Sequence, residues 1–110
     1  MYAGRILRVN LSEKSVSIYK PEKRVYRELV GGSGIAVDMH LKLGSHSKDP
    51  FSPENPIVIM NGPLTASAPS CSKIQFTARS PLTMGWGESN VGGKMAGYMK
   101  KAGWDGLIIE

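Results

Sequence analysis

Asn90, Gly92 and Gly93 are the residues whose types and spacing most suggest chemistry. A carboxamide both donates and accepts, so Asn90 can read the polar edge of a heterocycle. A glycine pair ahead of a helical pattern presents bare backbone N–H groups, which suit a phosphate. The same three residues equally fit a helix N-cap and two close-packing glycines, and spacing alone does not separate these readings. Cys71 stands in a small polar turn, Ser67 to Lys73, and reads as a packed thiol rather than a nucleophile. His40 and His46 have no partner at metal-ligand spacing; His40 reads as a helix-surface residue and His46 as solvent-facing. No carboxylate pair stands out as an acid/base dyad. Gly31-Gly32-Ser33-Gly34 lacks the lysine of a phosphate loop and follows a helical rather than a strand pattern, so it reads as a tight helix–helix junction.

Several short elements must position these residues. Residues 4–11 and 15–19 alternate apolar and polar and predict a β-hairpin, with Val16 and Ile18 on one side. Pro21-Glu22 opens a helix that Gly31-Gly32 stops. Ile35, Ala36, Met39 and Leu43 fall on one face of a second helix capped by Ser33, with Gly44 beyond its end. Pro50, Pro53 and Pro56 make residues 45–56 a loop. Ile57–Met60 and Ser72–Arg79 predict strands, and Met84–Gly87 a brief extended piece. A third helix is expected from Asn90–Gly93 onward, its apolar stripe made of Met95, Tyr98, Met99 and Ala102. Trp104–Ile109 closes the chain as a strand with an exposed edge. The order ββααββαβ implies an α+β domain with a mixed or antiparallel sheet and three short helices.

Composition bounds the class. At 110 residues the chain holds one domain at most, and 41% hydrophobic with 21% charged residues reads as soluble and globular. Thirteen glycines imply many turns and close backbone approaches. A net charge of +5 permits an anionic cofactor, an acidic partner or nucleic acid. The basic residues are scattered, however, and Tyr19, Phe76 and Trp104 form no stacking platform, so a nucleic-acid binder ranks last. One cysteine excludes an internal disulfide. No run approaches the roughly 18 apolar residues of a membrane span, and the N-terminus lacks the apolar core of a signal peptide, which predicts a cytoplasmic protein without membrane contact.

Seven blocks occur in order along nearly the whole chain: Gly4–Leu11, Leu29–Gly34, Pro53–Pro56, Gly62–Thr65, Ser80–Thr83, Ser89–Gly93 and Lys101–Asp105. In this order they resemble the first part of the N-terminal domain of the aldehyde ferredoxin oxidoreductase family, the tungsten-pterin enzymes. The resemblance implies that residues 1–110 are an incomplete N-terminal, tungsto- or molybdopterin-binding domain. It implies a bis-pterin cofactor contacted by Asn90, Gly92 and Lys73. Lys73 stands where the family commonly has an arginine, and it keeps the charge but not the bidentate fork. Arg79, in the same strand at period two, is a candidate to compensate. The family's activity is oxidation of an aldehyde to a carboxylic acid, with electrons leaving through a [4Fe-4S] cluster to ferredoxin. Its cluster ligands and acid/base groups lie in the downstream part, so no catalytic or metal-ligating residue is assigned here, and this chain alone is expected to lack turnover. The partners so implied are the remainder of the oxidoreductase chain, ferredoxin and a second copy in a homodimer. The alternative is a stand-alone, non-catalytic binding or assembly module derived from that family.

Overall fold

The computed structural model describes residues 1–110. Its first two strands, β1 (Ile6–Asn10) and β2 (Ser15–Tyr19), form the expected antiparallel hairpin. Register pairs Leu7 with Ile18 and Val9 with Val16, so the alternation puts these four on one face and Ile6 on the other. The helix α1 (Lys23–Leu29) buries Val25 and Tyr26. The helix α2 (Gly32–Leu43) buries Ile35, Ala36 and Met39, three of the residues its spacing selects. A Cβ on Gly34 would collide with the Leu29 carbonyl, which is why the junction between the helices needs a glycine there. Gly44, at φ 72°, ends α2 in the left-handed conformation, and a short 3-10 turn, Ser45–Ser47, follows.

Four further strands complete the sheet: β3 (Ile57–Met60), β4 (Ile74–Arg79), β5 (Trp86–Val91) and β6 (Gly106–Ile109), with helix α3 (Met95–Lys101) between the last two. The order is β2-β1-β6-β3-β4-β5, with β1 and β6 parallel and every other pair antiparallel. The molecule is therefore an α+β fold with a mixed sheet and three helices. One face of the sheet carries the main core, where Ile6, Val58, Met60 and Ile108 meet α1 and α2. The opposite face is packed by α3, whose Ala96 and Met99 meet Ile59, Ile74, Phe76 and Leu107.

Five sequence expectations are corrected. The extended piece after Met84 is a six-residue strand, β5, because β4 offers a full row of backbone groups from Ile74 to Arg79 and the Ser80–Gly85 turn folds the chain back onto it. Asn90 is therefore a strand residue paired with Gln75, not the start of a helix; α3 begins three residues after Gly92, with Lys94 as its N-cap. The last strand is central rather than at an edge, because Leu107-Ile108-Ile109 is apolar on both faces and both faces are packed. His40 is buried, not on the helix surface: it lies one turn beyond Ala36 on the same face and meets Ser45 Oγ at 2.6 Å and Thr77 Oγ1 at 3.2 Å. The predicted stripe on α3 is also mostly open, since Met95 and Tyr98 point to solvent and Ala96 makes the buried contact.

Asp105 ties the chain's two ends together. It is 1% exposed and accepts hydrogen bonds from the Ala3 and Gly4 backbone N–H groups (2.8 and 2.7 Å), Tyr26 Oη (2.8 Å) and Lys100 Nζ (2.7 Å). Burial pushes this carboxyl upward, but the four donors outweigh burial and hold it below its ordinary value.

Candidate cofactor groove

Beyond the C-terminal end of β3 the chain continues as Asn61-Gly62-Pro63-Leu64-Thr65. This segment, the start of α2, the loop before β4 and the facing ends of β4 and β5 enclose a groove of about 620 Å³. Its wall includes Gly31–Gly34, Asn61–Thr65, Ser70–Lys73, Gln75 and Asn90.

The backbone is forced to turn hard here. Val30 has φ 66° and ψ −62°, and the Gly31 N–H donates to Leu29 O at 2.7 Å, which together make a strained γ-turn. A β-branched residue with positive φ is a genuine outlier. Ser70, also lining the groove, has φ 61°. Strain concentrated at one rim is a frequent mark of a functional site. Gly32, at φ 52°, favours glycine by its backbone, and a Cβ there would also push aside the Gln75 amide, whose Oε1 packs against it. Gly31 lies flat against the opposite wall, where a Cβ would stand 3.1 Å from Pro63 Cδ.

Asn61 links three segments. Its N–H donates to Asp105 O (3.0 Å), its carbonyl accepts from the Gly32 N–H (3.1 Å) and its Nδ2 donates to Trp104 O (3.2 Å). The residue is 3% exposed, yet its Oδ1 has no partner. Gln75 Oε1 is likewise buried and unpaired. A buried acceptor without a donor is costly, by about 1–3 kcal/mol, and both of these face into the protein behind the groove wall, Gln75 Oε1 against Gly32. Lys73 brings a positive charge to the same wall and bridges to no carboxylate of the chain. These features fit a planar, polar, anionic group such as a pterin bearing phosphate.

Of the three residues expected to contact a cofactor, the fold brings Lys73 and Asn90 onto this groove. Gly92 follows the end of β5 and is not among its lining residues; Gly93, at φ 124°, borders a neighbouring depression with Lys94 and Lys101. Cys71 and Ser72 lie between the two hollows. Arg79 sits at the far end of β4 from Lys73, which precedes the strand. There its Nε donates to Met84 O (2.9 Å) and its guanidinium to Lys48 O, so it does not compensate for the missing arginine. Asn61, Gln75 and the groove-lining role of Gly31–Gly32 escape a reading by motif. Asn61-Gly62-Pro63 looks like a turn until its side chain proves buried, and Gln75 looks like an outward strand residue.

The sequence matches the family description "Aldehyde ferredoxin oxidoreductase, N-terminal domain" over residues 6–110. The chain belongs to this family. It is 37% identical over 110 residues to the tungsten-containing aldehyde ferredoxin oxidoreductase of Pyrococcus horikoshii, covering 99% of this chain and 18% of that enzyme. It is 32% identical over 112 residues to an aliphatic sulfonate oxidoreductase, WOR-like subunit, of Pyrococcus furiosus, with 99% and 18% covered. Among solved structures it resembles the active-site complex BamBC of benzoyl coenzyme A reductase in complex with 1,5-dienoyl-CoA. That similarity has a TM-score of 0.95 at 28% identity and covers 99% of this chain and 17% of that one. The chain thus spans under a fifth of the length of each of these proteins. No helix of this aldehyde ferredoxin oxidoreductase family member is long and apolar enough to cross a membrane.

Proposed function

We propose that this chain forms the floor on which a tungsten- or molybdenum-pterin cofactor rests in an oxidoreductase, as the first part of a larger N-terminal domain. The observation that carries the reading is the convergence, on one groove with a strained rim, of Lys73, Asn90 and the Gly31–Gly32 backbone. The relatives add support: their names concern an aldehyde oxidoreductase, an aliphatic sulfonate oxidoreductase and a benzoyl coenzyme A reductase. A segment common to proteins with such unlike substrates serves what they share rather than substrate choice. When bound, the metal carried by the pterins supplies the redox chemistry, for which the family's characteristic reaction is oxidation of an aldehyde to a carboxylic acid. The residues of this chain bind and orient. Lys73 offers its charge to a phosphate, the Gly31–Gly32 backbone permits close approach, and Asn90 meets a polar edge. A [4Fe-4S] cluster, ferredoxin as electron acceptor, pairing with a second copy and cytoplasmic residence belong to the same reading, with the cluster held by the remainder of the polypeptide.

The test is metal and pterin content of the full natural polypeptide. We expect tungsten or molybdenum by elemental analysis and a fluorescent pterin after oxidative release. Asn90→Ala and Lys73→Ala should each lower both by about tenfold, as loss of one charge-assisted contact implies. Wild-type protein containing neither metal nor pterin would overturn the reading.

A further inference from the structure

At the end of β4 and β5 remote from the groove, these strands, α2 and the 3-10 turn after it enclose a second hollow, of about 180 Å³. Gln75 lines the groove, whereas Arg79, further along the same strand, lines the hollow, about 13 Å away at the rise of a strand. The floor of the hollow is His40 and Ser45, both buried. Their polar atoms are already committed. His40 Nδ1 and Ser45 Oγ lie 2.6 Å apart, His40 Nε2 meets Thr77 Oγ1 at 3.2 Å, and the Ser45 hydroxyl also reaches the His40 carbonyl at 3.3 Å. Burial pushes the imidazole down, so the floor is uncharged at neutral pH. It offers a ligand carbon surface rather than hydrogen bonds.

The walls suit an aromatic ring. Trp86 stands edge-to-face against the His40 ring, with centroids 5.5 Å apart and planes at 89°, and Glu88 Oε2 holds its Nε1 at 3.0 Å. Met84 is fixed in left-handed backbone at φ 61°: its N–H donates to Ser80 O at 2.8 Å and its carbonyl accepts from Arg79 Nε at 2.9 Å. An indole, a thioether and a guanidinium are three groups that attract an aromatic ring. The volume suits one ring, since a cavity of about 150 Å³ holds benzene whereas sites for larger ligands start at about 300 Å³. Arg79 supplies charge. Its Nε and one Nη are spent on the carbonyls of Met84 and Lys48, which leaves the other Nη free to donate. Arg79 joins none of the chain's salt bridges, and no carboxylate lines the hollow. A half-buried cation without a counter-charge favours an anion.

We propose that this hollow is a binding site for a monocyclic aromatic carboxylate. The ring rests on the His40–Ser45 floor against Trp86 and Met84, and the carboxylate meets the unspent edge of the Arg79 guanidinium. A bare anion would leave the apolar floor in water, and an uncharged ring would leave Arg79 unpaired. The site is separate from the groove and does not depend on the cofactor reading.

The test is a ligand-observed NMR titration of the full natural polypeptide with benzoate, acetate and benzyl alcohol, which present ring with charge, charge alone and ring alone. Benzoate should bind with a Kd on the order of 1 mM, as suits so small a ligand. Acetate and benzyl alcohol should each bind at least about tenfold more weakly, for want of the buried ring and of the charge-assisted bond respectively. Two variants locate the site. A Cβ on Gly85 meets nothing nearer than Thr83 Oγ1 at 3.7 Å, so the fold accepts a side chain there, and that side chain fills the hollow. Gly85→Leu should therefore weaken benzoate at least about tenfold with Tm near wild type. Arg79→Gln should bring benzoate down to the affinity of benzyl alcohol. Arg79 also ties two loops, so Gly85→Leu decides if the Arg79 variant fails to fold. Absence of benzoate binding in wild type, undiminished binding in Gly85→Leu, or acetate or benzyl alcohol binding as tightly as benzoate would each overturn the proposal and leave the cofactor reading in place.

Discussion

At the scale of single residues, the buried titratable groups set how the fold responds to acid. The folded-state pKa of Asp105 lies below its unfolded value, so its contribution is fully present above about pH 4 and is lost as pH falls through the folded value. Burial lowers His40, so the unfolded chain takes up a proton more readily, and stability starts to decline as pH drops below about 6.5. Urea midpoints measured against pH should therefore show two descending steps. His40→Gln should flatten the upper one. Asp105→Asn should cost about 3–5 kcal/mol at pH 7, because it leaves Lys100 buried without its counter-charge, and its cost should shrink on acidification. A variant as stable as wild type at neutral pH would show that the tie between the chain ends is dispensable.

At the scale of elements, the junction between α1 and α2 combines two demands. Gly34 lets the helices approach, and Val30 makes the γ-turn that aims Gly31 and Gly32 at the groove. A valine held there costs energy that a glycine would not, and Val30 is largely exposed, so little packing is lost by removing it. Val30→Gly should be neutral or stabilising by up to about 1 kcal/mol, whereas glycine in a helix interior lowers stability by a similar amount. Chemical denaturation of the two forms decides this; a loss above that amount would mean that the turn is unstrained. The junction expected from Gly31–Gly34 is thus present, but it also walls the groove, which residue types alone could not reveal.

At the scale of the whole molecule, the two sheet faces are covered unequally. One carries α1 and α2, while the other has the seven-residue α3. By register, Val16 and Ile18 of β2 and Ile57 of β3 lie on this second face, and they are 65%, 53% and 44% exposed. A contiguous apolar surface of this kind calls for a covering element. In the full natural polypeptide, Ile18→Ser should therefore lower stability by about 1.5–3 kcal/mol, as for a buried side chain. An effect under about 0.5 kcal/mol, as for a surface position, would show that the face stays in water.

What the sequence determined by itself was local. Alternation in residues 6–19 specified the hairpin, apolar spacing in residues 35–43 specified α2, and the apolar run Ile57–Met60 specified a buried strand, because each pattern is set by neighbours within a few residues. Ordered motifs also carried the family. Tertiary structure decided the rest. Asn90 reads as a helix start until β4 offers it a ladder, since strand pairing depends on a partner elsewhere in the chain. His40 is buried because Ser45 and Thr77 supply its bonds. The groove itself joins residues 30–34, 61–65, 70–75 and 90, and only sheet register and the α1–α2 junction bring segments so far apart onto one wall.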